Sequence, residues 1–197
     1  RAVTCRYVPG RPDIEDAVNA LGEAEGRIGS QNSWAIDELV QDDVIVVDLF
    51  GKIRNGVFSG DNLATAIMVN TNRGMVLDGG LRDVQGIVGI PGLGVFSRDW
   101  HPSAFSEITM VEINGITRIG GATCLPGDVV LGTMSGVIFI PPHLAEEVVE
   151  YSEETRARDE FGKQRIAEAV YTPGEVDRVF SEEMEKDFQG WRANRDG

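Results

Sequence analysis

Residues 77–83 read Leu-Asp-Gly-Gly-Leu-Arg-Asp, directly after the apolar residues Met75 and Val76. A buried strand that ends on Asp78 and opens into two glycines marks the edge of an α/β sheet. Ligands in such sheets usually sit beyond the carboxyl ends of the strands. The Arg82-Asp83 pair that closes the stretch carries both signs of charge. An Arg there can grip a carboxylate through two parallel hydrogen bonds. The neighbouring Asp has the chemistry to hold Mg²⁺, which takes one or two carboxylates and keeps several waters. The same two residues would equally make an ordinary surface ion pair or a capped turn.

Upstream, residues 44–50 (VIVVDLF) are the strongest strand signal, a continuous apolar run suited to a buried sheet. Between the two strands, the spacing of Leu63, Ala66, Ile67 and Asn70 predicts a helix over 62–72, opened by Gly60-Asp61-Asn62-Leu63. Four backbone N–H groups are unpaired at a helix start and the helix dipole adds partial positive charge, so this turn can cradle an anion. Taken alone, Asp61 reads as an N-cap worth about 1 kcal/mol. Asp61 precedes Asp83 by 22 residues, a helix and a strand apart. That β-α-β path returns the chain to the same sheet edge. An anion cradle, a carboxylate-gripping Arg and a metal-holding Asp would then converge, as a 2-oxo acid on a divalent metal requires.

Further out, residues 2–8 predict a strand and 13–21 a short helix with Ile14, Val18 and Leu21 on one face. Residues 22–32 predict a polar loop, and Ser33 an N-cap for a helical turn through Leu39. Downstream, short strands are expected at 94–97, 108–113, 129–131 and 137–140, with a tight turn at Pro126-Gly127-Asp128. This β-rich half should pack against the earlier β-α units. After Pro141-Pro142 the character changes. A polar helix is expected over 143–168, with Leu144, Val148, Tyr151 and Thr155 along one stripe, and a second from Pro173 to about Phe188. The chain therefore divides into a catalytic-type domain, 1–142, and acidic helices, 143–197, packing on the core or on a neighbouring subunit.

The 197 residues carry a net charge of −14, of which residues 141–190 supply −8 from 14 acids against 6 bases. So acidic a chain is a poor match for nucleic acid or an anionic membrane, both of which need clustered Lys and Arg. No apolar run approaches the ~20 residues of a membrane-spanning helix. No signal-peptide pattern opens the chain, so a cytoplasmic location is expected. Two His and two Cys lack zinc-ligand spacing. The three Lys fall in polar segments, whereas a Schiff-base lyase needs a desolvated Lys. Residues 89–94 (GIPGLG) follow no convincing strand and are a weak match to a nucleotide-binding loop.

Residues 44–48, 60–63, 76–83, 95–96, 126–128 and 136–141, with the 22-residue interval, together resemble the RraA-like family, which includes the 4-hydroxy-4-methyl-2-oxoglutarate aldolases. The resemblance covers roughly residues 2–162. It implies an α/β chain with a swivelling β/β/α domain, assembled as a homotrimer or a hexamer, with a C-terminal helical extension. It further implies a metal-dependent lyase that acts on a small 2-oxo acid by retro-aldol cleavage or oxaloacetate decarboxylation, through a pyruvate enolate. By the same resemblance, Gly60, Asp61, Asn62 and Leu63 hold the substrate and Arg82 binds its carboxylate. Asp83 holds Mg²⁺ or Mn²⁺ mostly through waters, and Asp61 assists proton transfer. Glu160 from a neighbouring subunit is the nearest match to a glutamate that completes the site in some members. The family also includes regulators that bind a ribonuclease, and a related lyase on a sugar acid would keep the same metal site. One departure is residues 131–135, where the family carries an acidic residue. His101, in the loop 97–105 with Trp100 and Pro102, reads as a surface-loop residue, as a group contacting the substrate or as a general acid.

Overall fold

Alternation along three neighbouring strands decides the layering of the first part of the chain. The computed structural model describes residues 1–195 and divides the chain into two compact units, Arg1–Pro142 and the segment from His143 onward. In the first unit β1 (Ala2–Pro9) is followed by α1 (Pro12–Ala24), α2 (Gln31–Asp37), β2 (Val44–Asp48), α3 (Asp61–Thr71) and β3 (Gly74–Asp78). Then come β4 (Gly80–Leu81), α4 (Val84–Val88), β5 (Gly94–Phe96), β6 (Asp99–Trp100) and β7 (Ile108–Ile113). Two hairpins close the unit, β8 (Thr117–Ile119) with β9 (Ala122–Cys124) and β10 (Val129–Thr133) with β11 (Gly136–Ile140).

The central sheet has the order β5-β3-β2-β1-β7, parallel except for β7. Ala2 pairs with Val44, which pairs with Gly74, so alternate residues of the three strands share a face. Val3, Cys5, Tyr7, Ile45, Val47, Met75 and Leu77 belong to one apolar cluster with Trp34, Ile36, Ala64, Ile67 and Ile87 from the helical side. Ala2, Val46 and Val76 belong to another, covered by Ile119, Cys124, Val130, Val137 and Phe139 of the hairpins. The result is hairpins, sheet and helices in three layers, the β/β/α arrangement expected. Each fully buried Val, Ile or Leu of these strands contributes about 1.5–3 kcal/mol.

Several element ends differ from the sequence expectation. Helix α1 runs on to Ala24 because Gly22, which lacks a side chain, lies on the indole of Trp34; an added Cβ would sit 2.6 Å from ring atom Cζ2. Leu21, expected on the inner face, is 59% exposed. Helix α2 starts three residues earlier than expected. Ser30 occupies the N-cap position, and Ser33 lies inside the helix with its hydroxyl donating to the Ser30 carbonyl at 2.6 Å. Gly60, with Asp61 as the first helical residue, is the N-cap of α3.

A 3₁₀ turn (Pro142–Leu144) spans the boundary, and the second unit contains α5 (Ala145–Ala167), α6 (Pro173–Val176) and α7 (Glu182–Arg195). The single helix expected from Pro173 to Phe188 is broken over 177–181, after a Thr172–Glu175 capping box starts α6. The expected stripe on α5 is also corrected. Tyr151 is 75% exposed, whereas Phe161 is buried among Phe180, Phe188, Trp191 and Tyr171 at ring separations of 5.4–6.2 Å. Gly162 gives Val176 room to approach α5. Around this apolar centre Arg158 pairs with Glu185 at 2.8 Å and Arg165 with Asp187 at 2.7 Å. Among the described residues, no helix is long and apolar enough to cross a membrane.

Candidate active site

Three backbone ties bring the two notable motifs together. The Gly80 amide donates to Lys52 O at 3.1 Å, the Phe58 amide to Gly80 O at 3.1 Å, and the Arg82 amide to Ser59 O at 3.1 Å. The segment that enters α3 therefore lies alongside the segment that leaves β3. Asp83 follows in the left-handed region (φ 58°) and serves as the backbone N-cap of α4 without a side-chain cap. A non-glycine residue held there stores on the order of 1 kcal/mol of strain, which Asp tolerates better than most residues. Its carboxylate is free of the capping duty and turns toward α3.

Each aspartate rests on a glycine of the other's segment. A Cβ added to Gly60 would stand 3.2 Å from Asp83 Cγ and 3.0 Å from Arg82 Nε, with Asp83 Oδ2 nearer still. A Cβ on Gly86 would stand 2.6 Å from Asp61 Cβ. Gly60 has φ −108°, an angle open to any residue, so its value here is space. The cleft that results has a volume of about 620 Å³ and is lined by Asp61, Arg82, Asp83, residues 84–86, Trp100, His101 and Pro102. Arg82 Nε and Asp83 Oδ2 are 3.3 Å apart, with side chains 41% and 46% exposed. That loose, solvated pair is worth about 0–1 kcal/mol, so it readily exchanges for a ligand.

The predicted residues do not all reach this cleft. Asp61, Arg82 and Asp83 line it, whereas Gly60 lies outside the lining, against the Asp83 and Arg82 side chains. Asn62 is exposed outside its lining, and Leu63 packs against the main apolar cluster. Glu160 lies on α5 in the second unit, ion-paired with Arg195. The lining by Val84, Gln85 and Gly86 was not foreseen, because a five-residue helix leaves no periodic pattern. His101 and Trp100 do face the cleft, placed there by the parallel pairing of β6 with β4.

Strand-end aspartates Asp48 and Asp78 have other duties. Asp78 accepts from Arg98 and, at 3.0 Å, from the Gly120 amide, while Asp48 accepts from the Phe50 amide at 2.7 Å. They tie turns to the sheet. Among the described residues no three His, Cys, Asp or Glu cluster as a metal cage. The cleft's donor set is two carboxylates, which fits a hard cation that keeps most of its waters on Asp83. It does not fit a protein-enclosed zinc or calcium site.

A family profile described as RraA-like, Aldolase/RraA, matches residues 1–139. An uncharacterised protein of Methanocaldococcus jannaschii is 26% identical over 79% of this chain and 77% of its own length. A protein of Halalkalibacterium halodurans, provisionally named a 4-hydroxy-4-methyl-2-oxoglutarate aldolase, is 28% identical over 69% of this chain and 64% of its own. One of Pseudomonas paraeruginosa with the same provisional name is 33% identical over 51% of this chain and 61% of its own. The match thus spans under two thirds of both aldolase-named relatives. Among solved structures, Streptomyces coelicolor RraAS2, described as an unusual member of the RNase ES inhibitor RraA family, superposes with TM-score 0.66 at 26% identity, over 83% of this chain and 76% of that one. With the layered fold and the profile match over residues 1–139 in agreement, the chain belongs to the RraA-like family.

Proposed function

We propose that this protein is a divalent-metal-dependent lyase that cleaves the C3–C4 bond of a small 2-oxo acid. The supporting observation is the convergence of Asp61, Arg82 and Asp83 on one open cleft, from segments 22 residues apart. Arg82 binds the substrate carboxylate, with its guanidinium released from the loose pair with Asp83. Asp83 would hold Mg²⁺ or Mn²⁺ through waters, and that ion supplies Lewis-acid polarisation of the 2-oxo group. In the retro-aldol direction Asp61 takes the proton of the C4 hydroxyl through a water. The C3–C4 electron pair then passes to C3 as a pyruvate enolate, and C4 leaves as a carbonyl. Protonation at C3 gives pyruvate. Oxaloacetate reaches the same enolate by losing its C4 carboxylate as CO₂. Arg82, facing the developing charge, stabilises it in both reactions.

The same proposal takes the protein as a homotrimer or a dimer of trimers, with Glu160 of one subunit supplied to its neighbour's site. Glu160 would then have to exchange its pairing with Arg195. The test is pyruvate release from oxaloacetate and from a 4-hydroxy-2-oxo diacid, with Mg²⁺, with Mn²⁺ and after chelation. Metal-dependent turnover is expected. Arg82→Ala should lower it by about a hundredfold or more, the scale of losing a charge-assisted partner in the transition state. Asp83→Ala should abolish metal binding measured by calorimetry. Absence of metal-dependent turnover on any such acid refutes the proposal.

The likeness to a structure described as an RNase ES inhibitor family member favours one second role, a protein regulator docking on a basic partner. A stoichiometric ribonuclease recovered with the chain, together with no lyase activity, would decide for it.

A further inference from the structure

His101 stands beside Arg82 in the sheet geometry of the cleft. Gly80 pairs with Asp99 and Leu81 with Trp100 in the parallel β4–β6 ladder. The His101 amide continues it by donating to Leu81 O at 2.8 Å. Arg82 and His101 are therefore next in register, on adjacent strands about 4.8 Å apart, and both line the cleft.

The imidazole is held in one tautomer. The Ser103 amide donates to His101 Nδ1 at 3.1 Å. Ser103 is itself fixed, its hydroxyl accepting from the Asn55 amide at 2.7 Å. The Asn55 carbonyl accepts from the Ser106 and Glu107 amides at 3.2 and 2.9 Å, so the loop is tied on both sides of Ser103. A ring nitrogen that accepts carries no proton, so the neutral ring's proton lies on Nε2. Among the described residues, no protein group accepts from that Nε2–H. The cleft thus presents a charged two-pronged donor and, one strand over, an Nε2–H donor without a protein acceptor among the described residues.

We propose that His101 Nε2 donates to a second carboxylate of the substrate and makes the cleft select 2-oxo diacids over 2-oxo monoacids. This rests on the reading of Arg82 as the partner of the first carboxylate. Ordinary C–C bond lengths place the two carboxyl carbons of a four- or five-carbon diacid about 4–5 Å apart, which matches the strand spacing. The donor also answers an electrostatic need. A second carboxylate entering the cleft meets Asp61 and Asp83, and without His101 the diacid would be disfavoured there. Trp100 and Pro102, its neighbours in the chain, also line the cleft.

Two substitutions separate this role from simple anchoring of the loop. His101→Asn keeps an acceptor at the Nδ1 position for the Ser103 amide and removes the Nε2 donor. His101→Gln does the reverse, reaching the Nε2 position with an amide donor. Binding of 2-oxoglutarate and of 2-oxopentanoate in Mg²⁺ buffer is measured by calorimetry on the full chain. The Asn variant should bind the diacid about tenfold more weakly, the size of one hydrogen bond to a charged group, and the monoacid nearly unchanged. The Gln variant should recover most of the diacid affinity. A wild-type-like Asn variant with an impaired Gln variant, or equal losses on both acids, overturns the proposal. Pyruvate release is followed on the same preparations. The expected split in binding without any turnover refutes the lyase and leaves the His101 donor standing. Turnover without the split does the opposite, and a wild type that binds neither acid refutes both.

Discussion

Replacing Gly60 by Ala tests the geometry of the cleft without touching any group proposed to do chemistry. The backbone at residue 60 (φ −108°, ψ −166°) is extended and open to alanine, so no strain arises there. The new methyl would meet Arg82 Nε at 3.0 Å and Asp83 Cγ at 3.2 Å, with Asp83 Oδ2 closer than either, against ordinary contact from 3.4 Å outward. The carboxylate must retreat by about 1 Å, a displacement that costs on the order of a hundredfold in rate when it misplaces a reacting group. Stability should change little. The Asp83 side chain is 46% exposed and can swing into water, and its pair with Arg82 is solvated. Restricting the unfolded chain returns about 0.4–1 kcal/mol. The expected result is a kcat/KM on oxaloacetate lowered about a hundredfold, weakened Mg²⁺ binding by calorimetry, and a thermal midpoint within about 4 °C of wild type. Wild-type turnover in the Ala variant would refute the placement of Asp83 in the chemistry. A large loss of thermal stability would show that the clash falls on backbone instead.

The remaining predictions concern the scaffold. Gly74→Ala should destabilise the first unit severely, because its methyl would stand 2.7 Å from the Gly94 carbonyl carbon across the β3–β5 ladder; a soluble variant with wild-type thermal midpoint would contradict this. Cys5 and Cys124 are buried, and burial pushes both thiols up to about 12, so near pH 8 neither should react with iodoacetamide until the chain unfolds; rapid alkylation of the native protein would count against it. Hydrogen bonds from Arg158 and Arg165 hold Glu185 and Asp187 below the ordinary carboxylate range. Groups with a depressed folded pKa stabilise above their unfolded pKa of about 4 and lose that contribution as pH falls through the folded value. Hydrogen exchange on α5 and α7, corrected for intrinsic rates, should therefore show lower protection near pH 3 than near pH 7; equal protection would refute it.

Local pattern sufficed for the parts of the fold set by local forces. The apolar runs at 44–50 and 75–77, with helical spacing over 62–72, announced buried strands flanking a helix, and β2, α3 and β3 lie within a few residues of those bounds. Element ends were less legible because they depend on partners distant in sequence. Trp34 decides how closely α1 approaches, and the Phe161 cluster decides where the C-terminal helices break.

From the sequence alone Asp61, Arg82 and Asp83 emerge as candidates to hold a 2-oxo acid and a hard cation, since scarce His, Cys and Lys leave such work to carboxylates, Arg and backbone groups. The sequence also located −8 of the −14 charge in residues 141–190. Only the tertiary structure decided which residues share the cleft. Asn62 and Leu63 sit beside Asp61 in sequence, yet helical rotation carries one to solvent and the other to the core. His101 lies 19 residues past Arg82, and a two-residue parallel ladder brings it alongside. The physical reason is the same in both cases. Sequence neighbours diverge by 100° per residue on a helix, while residues distant in the chain become neighbours through backbone hydrogen bonds whose register no single segment encodes.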